Sequence, residues 1–218
     1  MSGDRRSLRR EATRDEIVRA AWTLAREQGL AGISMRDLGA RVGMRAQSVY
    51  TYFASKDAIY DAMFQQGYRD FLTWMSADEP ERVDDALGEM RRVAHRFFTF
   101  CVSDPERYQL LFLRTIPGFV PSAESYAVAV AALDHQRSRL AAVGVTDPHA
   151  ADLATAVFTG LTSQQIANDP GGNRWELLVD RAARMLLAEV APQLLSPSSL
   201  APAQTAPPRP HPRKKVPR

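Results

Sequence analysis

An all-α fold of about nine helices is what this sequence predicts, and three features carry the expectation. Apolar residues recur at i, i+3, i+4 and i+7 along most of the chain, and no segment alternates between apolar and polar as a half-buried strand does. The apolar runs are punctuated by glycines, prolines and capping residues at helix-sized intervals. The apolar content of 45% is ordinary for a globular chain and supplies a core for those helices to share.

Residues 1–10 are polar and arginine-rich and are expected to form a flexible basic arm. Thr13 can cap the first helix, with Asp15 and Glu16 favoured in its first turn by the helix dipole. Ile17, Ala20, Ala21, Leu24 and Ala25 then form one apolar stripe, and Gly29 ends the helix. Ser34 caps a short second helix whose Met35, Leu38 and Val42 face inward. Gly43 makes a turn, and a third helix runs from Arg45 to about Tyr52. Ser55 caps a fourth, to about Trp74 or Met75. After the break at Asp78-Glu79-Pro80, a fifth helix spans about 82–102. Asp104-Pro105 opens a short sixth, with Pro105 suited to a first turn. Residues 116–121 are a loop, and 122–143 form a seventh helix closed by Gly144. Asp147-Pro148 opens an eighth, to about Asn168, and a ninth covers about 175–195. Residues 196–218 are rich in Ser, Pro, Ala and basic residues and are expected to be disordered.

Charge is unevenly spread. Residues 1–56 carry eleven Lys/Arg against six Asp/Glu, residues 57–195 twelve against nineteen, and residues 196–218 five against none. A basic front end on an acidic body suits a protein that meets a polyanion at one end. The longest apolar run, 126–133, is far short of a membrane span, and no charged-then-apolar leader is seen. The single cysteine, Cys101, permits neither an intrachain disulfide nor a cysteine metal cluster. These features fit a cytoplasmic, nucleoid-associated protein with no membrane partner.

The segment 34–53, followed by Ala54-Ser55-Lys56-Asp57, is the most informative. Two helices that cross closely need a small residue facing the turn, which Gly39 supplies, and Gly43 supplies a backbone free to reach positive φ. Val49 is the apolar anchor of the second helix of the pair, and Leu38 and Val42 complete a small core with the first helix. A plain helical hairpin also uses a glycine turn. Here, however, Arg45, Gln47 and Ser48 stand at the start of the third helix, where a helix-turn-helix meets base edges. Arginine can donate two hydrogen bonds to guanine and glutamine can pair with adenine. Tyr50 and Tyr52 can set hydroxyls on the sugar-phosphate backbone, and Phe53 packs inward. Ser34 and Lys56, at helix starts, are placed for phosphates.

Residues 11–71 strongly resemble the DNA-binding domain of the TetR family of transcriptional regulators. The likeness lies in the helix 17–29, Ser34-Met35-Arg36-Asp37-Leu38, Ala40-Arg41-Val42-Gly43-Met44, Val49-Tyr50-Thr51-Tyr52-Phe53 and Ser55-Lys56-Asp57-Ala58-Ile59. The resemblance implies an all-helical homodimer, usually a repressor, released from a palindromic operator by a small ligand. It places Arg45, Gln47, Ser48 and Tyr50 on the recognition helix, Ser34, Tyr52 and Lys56 at phosphates, and Arg36 in the same DNA-binding set.

Residues 72–195 are then a regulatory and dimerisation domain. The run 104–112 is similar to the regulatory domain of one subgroup but names no ligand. Phe98, Tyr108, Phe112, Phe119, Tyr126 and Phe158, with Phe97 and Phe100, are either core or walls of an apolar pocket, and His95, Gln109 and Gln165 are its possible polar handles. For His95 a plain surface histidine among Arg91, Arg92 and Arg96 is the competing reading. The eighth helix, with Ala150, Ala151, Ala154, Ala156 and Gly160, and the striped ninth would build a four-helix dimer interface. An activator, or a regulator answering to a protein, is the alternative within regulation. A nonspecific DNA-coating protein is another. An enzyme is remote: His95, His135, His149 and His211 are scattered, and no metal-ligand spacing, phosphate loop or nucleophile arrangement is found, so no catalytic residue, metal or cofactor is expected.

Overall fold

The computed structural model describes residues 2–77 and 85–195, and all secondary structure among them is helical. Nine α-helices follow in order among the described residues: α1 (Ser2–Gln28), α2 (Met35–Arg41), α3 (Ala46–Tyr50), α4 (Lys56–Ser76), α5 (Ala86–Ser103), α6 (Pro105–Tyr108), α7 (Ala123–Ala142), α8 (Ala150–Asn168) and α9 (Val179–Val190). The expected break at Asp78-Glu79-Pro80, the start of the fifth helix at 82 and the tail 196–218 lie outside the described residues.

Two expectations at the amino terminus are corrected. Residues 2–10 are the first turns of α1 and not a separate arm. Thr13 sits inside that helix and caps nothing; its hydroxyl donates to the Arg9 carbonyl at 3.0 Å, as threonines within helices do. The arginines, leucine and glutamate of 5–11 propagate a helix readily, and Arg10 and Arg14 find partners further along the chain, described below. Elsewhere caps form where the sequence puts them. Ser34 Oγ accepts from Asp37 N, Ser55 Oγ from Ala58 N, and the Asp104 carboxylate from Arg107 N. Asp85, which accepts from Leu87 N and Gly88 N, starts α5. The ninth helix is shorter than expected, because tight 3₁₀ turns occupy Glu176–Leu178 and Pro192–Leu194 and Pro192 has no N–H to continue the ladder.

The chain divides into two compact units, with a break at Thr73/Trp74 close to residue 72 and a second stretch, Asp104–Ala132, returning to the first unit. One takes in the chain up to Thr73 together with Asp104–Ala132; the other takes in Trp74–Ser103 and the chain from Leu133 on. The first unit joins distant stretches through specific bonds. Arg26 on α1 pairs with Asp104 at 2.6 Å, and the Tyr68 hydroxyl donates to the Leu111 carbonyl at 3.0 Å. Local composition cannot signal a unit closed by contacts this far apart in sequence.

In the second unit α5 packs against both α8 and α9. Leu87, Met90, Ala94, Phe97, Phe98 and Cys101 are buried on α5, Ala151, Ala154 and Phe158 on α8, and Ala183, Leu186 and Leu187 on α9. Ala150, Ala151 and Ala154 therefore serve packing inside the protomer. Of the small residues on α8, Ala156, Gly160 and Ala167 are the exposed ones. Glu89 is buried between two arginines, accepting from Arg92 and from Arg139 of α7 at 2.8 Å each. Burial alone would raise its carboxyl, but the two guanidinium bonds outweigh that and hold it below its ordinary value. A carboxyl held low when folded stabilises the fold above its unfolded pKa, and the benefit disappears as pH falls through the folded value. Glu89→Gln should thus cost roughly 3–5 kcal/mol at pH 7, as breaking a buried pair does, and the gap from the wild-type chain should narrow below about pH 4.5, near the ordinary glutamate value. Urea unfolding at pH 7 and pH 4 checks this; an equal gap at both contradicts it.

Candidate nucleic-acid interface

The α2–turn–α3 unit is built around the absence of one carbon atom. A Cβ placed on Gly39 would lie 2.7 Å from the Met44 carbonyl oxygen, closer than side chains approach backbone, and a tight 3.1 Å from Ala46 N. Gly39 N–H and C=O remain in use, the latter accepting from Met44 N at 2.7 Å. Gly43 takes φ 68° to reverse the chain. Val49 and Phe53, almost wholly buried with Leu38 and the Ile17/Leu24 stripe, anchor α3 from behind.

That anchoring leaves the opposite face of α3 in solvent. Arg45, the N-cap residue, Gln47 and Ser48 are exposed, and Tyr50 is 48% exposed, a large value for a tyrosine with no binding role. Arg45 and Gln47 make no side-chain hydrogen bond or ion pair among the described residues. The other arginine of the segment, Arg41, is committed: it forms a two-pronged pair with Glu27 of α1, at 2.9 and 2.5 Å. Arg36 stays outward, its only near charge among the described residues being Asp37 at 3.6 Å.

The three expected phosphate residues fare differently. The Ser34 hydroxyl donates to the Asp37 carboxylate at 2.6 Å while accepting from Asp37 N, so its proton is spent within α2. Lys56 donates to the Ala31 carbonyl at 2.8 Å and lies over the Tyr60 ring, which leaves two of its three protons for a phosphate. Tyr52 is half-buried under the Arg10 guanidinium. Arg10 and Arg14 are the residues that sequence reasoning missed. Arg10 donates to the Thr51 carbonyl at 2.8 Å, and Arg14 donates to the Tyr52 carbonyl while its guanidinium lies over the Phe53 ring. Two cations thereby hold the carbonyls just past the end of α3, the favourable sign for a helix carboxyl end.

The same unit holds a cavity of about 600 Å³, bounded by α4, the stretch after α6, the loop 119–121 and the start of α7. Phe112, Phe119 and Tyr126 line it, joined by Phe64, Tyr68 and Arg114. Tyr108 is buried behind Phe112, ring centroids 6.0 Å apart, and does not reach the cavity. His95, Phe98, Phe158 and Gln165 belong to the second unit and do not line this cavity. Phe98 and Phe158 fill its core. His95 bonds Asp180 at 2.9 Å. Gln165 holds the 169–175 turn, accepting from Trp175 N and donating to the Asp169 carbonyl. The spacing of Phe64 and Tyr68, i and i+4 on α4, was the available signal for the missed wall.

The cavity connects to the α2–α3 unit within a few residues. The Phe119 ring meets the Tyr60 ring edge-on, centroids 5.7 Å apart, and the Tyr60 hydroxyl donates to the Leu30 carbonyl at 2.6 Å. Next to it, the Asp61 carboxylate accepts from Ser122 N, Ser122 Oγ and Ser125 Oγ, at 2.7, 2.9 and 2.8 Å, and ties the start of α7 to α4.

Gly39→Ala should destabilise the chain by about 1–3 kcal/mol through overpacking, although helix propensity alone favours alanine by up to about 1 kcal/mol. A raised thermal midpoint would contradict the close approach.

With this geometry in hand, residues 17–63 match the family described as bacterial regulatory proteins, tetR family. The chain is similar to the HTH-type transcriptional regulator Mb1846 of Mycobacterium bovis, 26% identical over 118 residues that cover 54% of this chain and 50% of that protein. It is also similar to the HTH-type transcriptional repressor KstR2 of Mycolicibacterium smegmatis, 29% identical over 84 residues, 38% of this chain and 39% of that one. The chain thus spans about half the length, or less, of these curated relatives. Its fold is similar to that of a TetR variant from Acinetobacter baumannii solved with minocycline, with a TM-score of 0.55 and 18% identity over 83% of this chain and 97% of that one. Residues 17–63 thus match the amino-terminal domain of the tetR family of bacterial regulatory proteins, and the fold is similar to that of a solved TetR protein.

Proposed function

We propose that this chain is a sequence-selective transcriptional regulator in the cytoplasm, most simply a repressor, that binds a palindromic DNA operator as a homodimer and lets go when a small, largely apolar molecule enters the cavity beside α4. The observation that carries the reading is the solvent-facing amino end of α3. Arg45, Gln47, Ser48 and Tyr50 project from a helix whose other face is locked by Val49, and the arginine and glutamine are not used in the fold. Such groups at a helix start are what major-groove readout requires. Arg36, Lys56 and Tyr52 flank them for phosphates, and the likeness to the repressor KstR2 supports the sign of regulation.

A helix of five residues reads few base pairs, so two copies across a twofold axis are needed for a selective site. The outward stripe of α8, with Leu153, Ala156 and Gly160, and the exposed Met185 of α9 are the faces proposed to pair. A Cβ on Gly160 would meet nothing within 4 Å in the protomer, so a partner helix has room to approach.

Release follows from the short path between cavity and α2. A molecule that displaces Phe119 moves the ring against Tyr60, and Tyr60 holds the Leu30 carbonyl ahead of the Ser34 cap. The ligand acts only through unequal affinity for the two arrangements.

Selection of duplexes bound by the purified chain, at fixed salt, should return a palindrome. Arg45→Ala should relax preference at one base in each half-site and cost roughly 1–3 kcal/mol there. Uniform weakening over all sequences would sink the readout assignment and favour a nonspecific DNA-coating protein. Asp61→Ala should leave ligand-free duplex affinity within about fivefold, since the anchor it removes is worth about 1 kcal/mol to that end of the molecule, yet blunt release by compounds screened on the wild-type chain. Unchanged release would rule out the route through Asp61.

A further inference from the structure

We propose that the cavity beside α4 takes an amphiphile with one negatively charged group, its apolar body on the aromatic wall and its anion on Arg114. This rests on the ligand-responsive reading above and deepens it.

The wall is apolar and aromatic: Phe64, Leu111, Phe112 and Phe119 face the space. The Tyr68 hydroxyl is already donated to the Leu111 carbonyl, so the interior is closed by carbon rather than by polar groups that would have to be matched. Against this wall stands a single charged lining side chain, Arg114. It is exposed, and no acidic group among the described residues lies within ion-pair distance of it. The nearest acid along the segment that follows, Glu124, is engaged by Gln65 and does not line the cavity.

The backbone singles out the same residue. Arg114 has φ 47° and ψ 46°, and it alone among the described non-glycine residues has positive φ. It closes a π-helical turn, Gln109–Leu113, an irregularity found mostly at functional sites. Left-handed backbone suits glycine or asparagine, and a branched or long side chain is rare there. An arginine held in that conformation, at the edge of an apolar cavity and without a carboxylate, is a guanidinium that lacks its counter-ion. Carboxylate, sulfonate and phosphate share the planar or tripod oxygens that such a group binds through paired, charge-assisted hydrogen bonds. The cavity volume of about 600 Å³ falls in the range of small-molecule sites.

Calorimetric titration of the full chain with decanoate, decanol and decyltrimethylammonium, each kept monomeric, tests this. Decanoate should bind at least tenfold more tightly than decanol, and the ammonium compound least. Arg114→Asn, which fits left-handed backbone and should fold, is expected to abolish the preference, while Arg114→Lys should keep part of it. Raising salt should weaken decanoate and leave decanol unaffected. Equal affinity for the acid and the alcohol, an unchanged preference in Arg114→Asn, or no binding of any of the three overturns the proposal. Release of the selected duplex, followed in parallel, separates the two readings. If decanol and decanoate bind alike and both release DNA, regulation stands and the anion assignment falls. If decanoate binds through Arg114 with duplex affinity unchanged, the anion site stands and ligand-driven release falls.

Discussion

Everything on the side of this molecule proposed to face DNA depends on how closely α2 and α3 approach at Gly39. Five residues cannot hold a helix by their own hydrogen bonds, because nucleation costs more than so short a ladder returns. The α3 helix exists because it is clamped on three sides. Gly39 lets the backbone of residues 44–46 sit against α2. Val49 and Phe53 bury behind it, and Arg10 and Arg14 hold the Thr51 and Tyr52 carbonyls just past its end. The face left over is polar, exposed and rigidly aimed, which is the property a groove-reading helix needs.

The clamp from Arg10 and Arg14 also explains why α1 begins so early. Its first turns are not an appendage to the domain, since they carry a side chain that reaches Thr51. On the other side of the same unit, α4 joins the α2–α3 module to the cavity through adjacent residues. Tyr60 faces both Phe119 and Leu30, and Asp61 holds the start of α7. A molecule inside the cavity therefore lies one ring away from a residue that bonds directly to the chain ahead of α2. No long-range wire is needed for the two to be coupled.

Much of this was legible in the sequence where the chemistry is local. Ser34, Gly39, Gly43, Val49 and Ser55 were readable because a cap, a tight turn or an anchor demands a particular residue at a particular offset. What stayed hidden depends on contacts between distant segments. Nothing in residues 1–10 announces that Arg10 will meet Thr51, so the stretch read as an arm. The aromatic list mixed two populations, because spacing shows that a ring faces inward and not whether it meets core or cavity: Phe112 and Phe119 line the space, while Phe98 and Phe158 fill the second unit. Gln165 looked like a polar handle and is a turn brace. Arg114 gave no signal, since its importance lies in a backbone angle and a neighbourhood. The return of Asp104–Ala132 to the first unit was hidden for the same reason, as Asp104 and Ser122 pack beside α1 and α4.

The most direct test of the central claim uses the one exposed thiol that can be introduced without competition, because Cys101 is buried. A DNA-cleaving reagent tethered to Gln47→Cys should cut a selected duplex from the major groove at two symmetric places, about one helical turn or roughly 34–36 Å apart. Cutting at a single place, cutting spread evenly along the duplex, or none at all with binding intact would contradict the account.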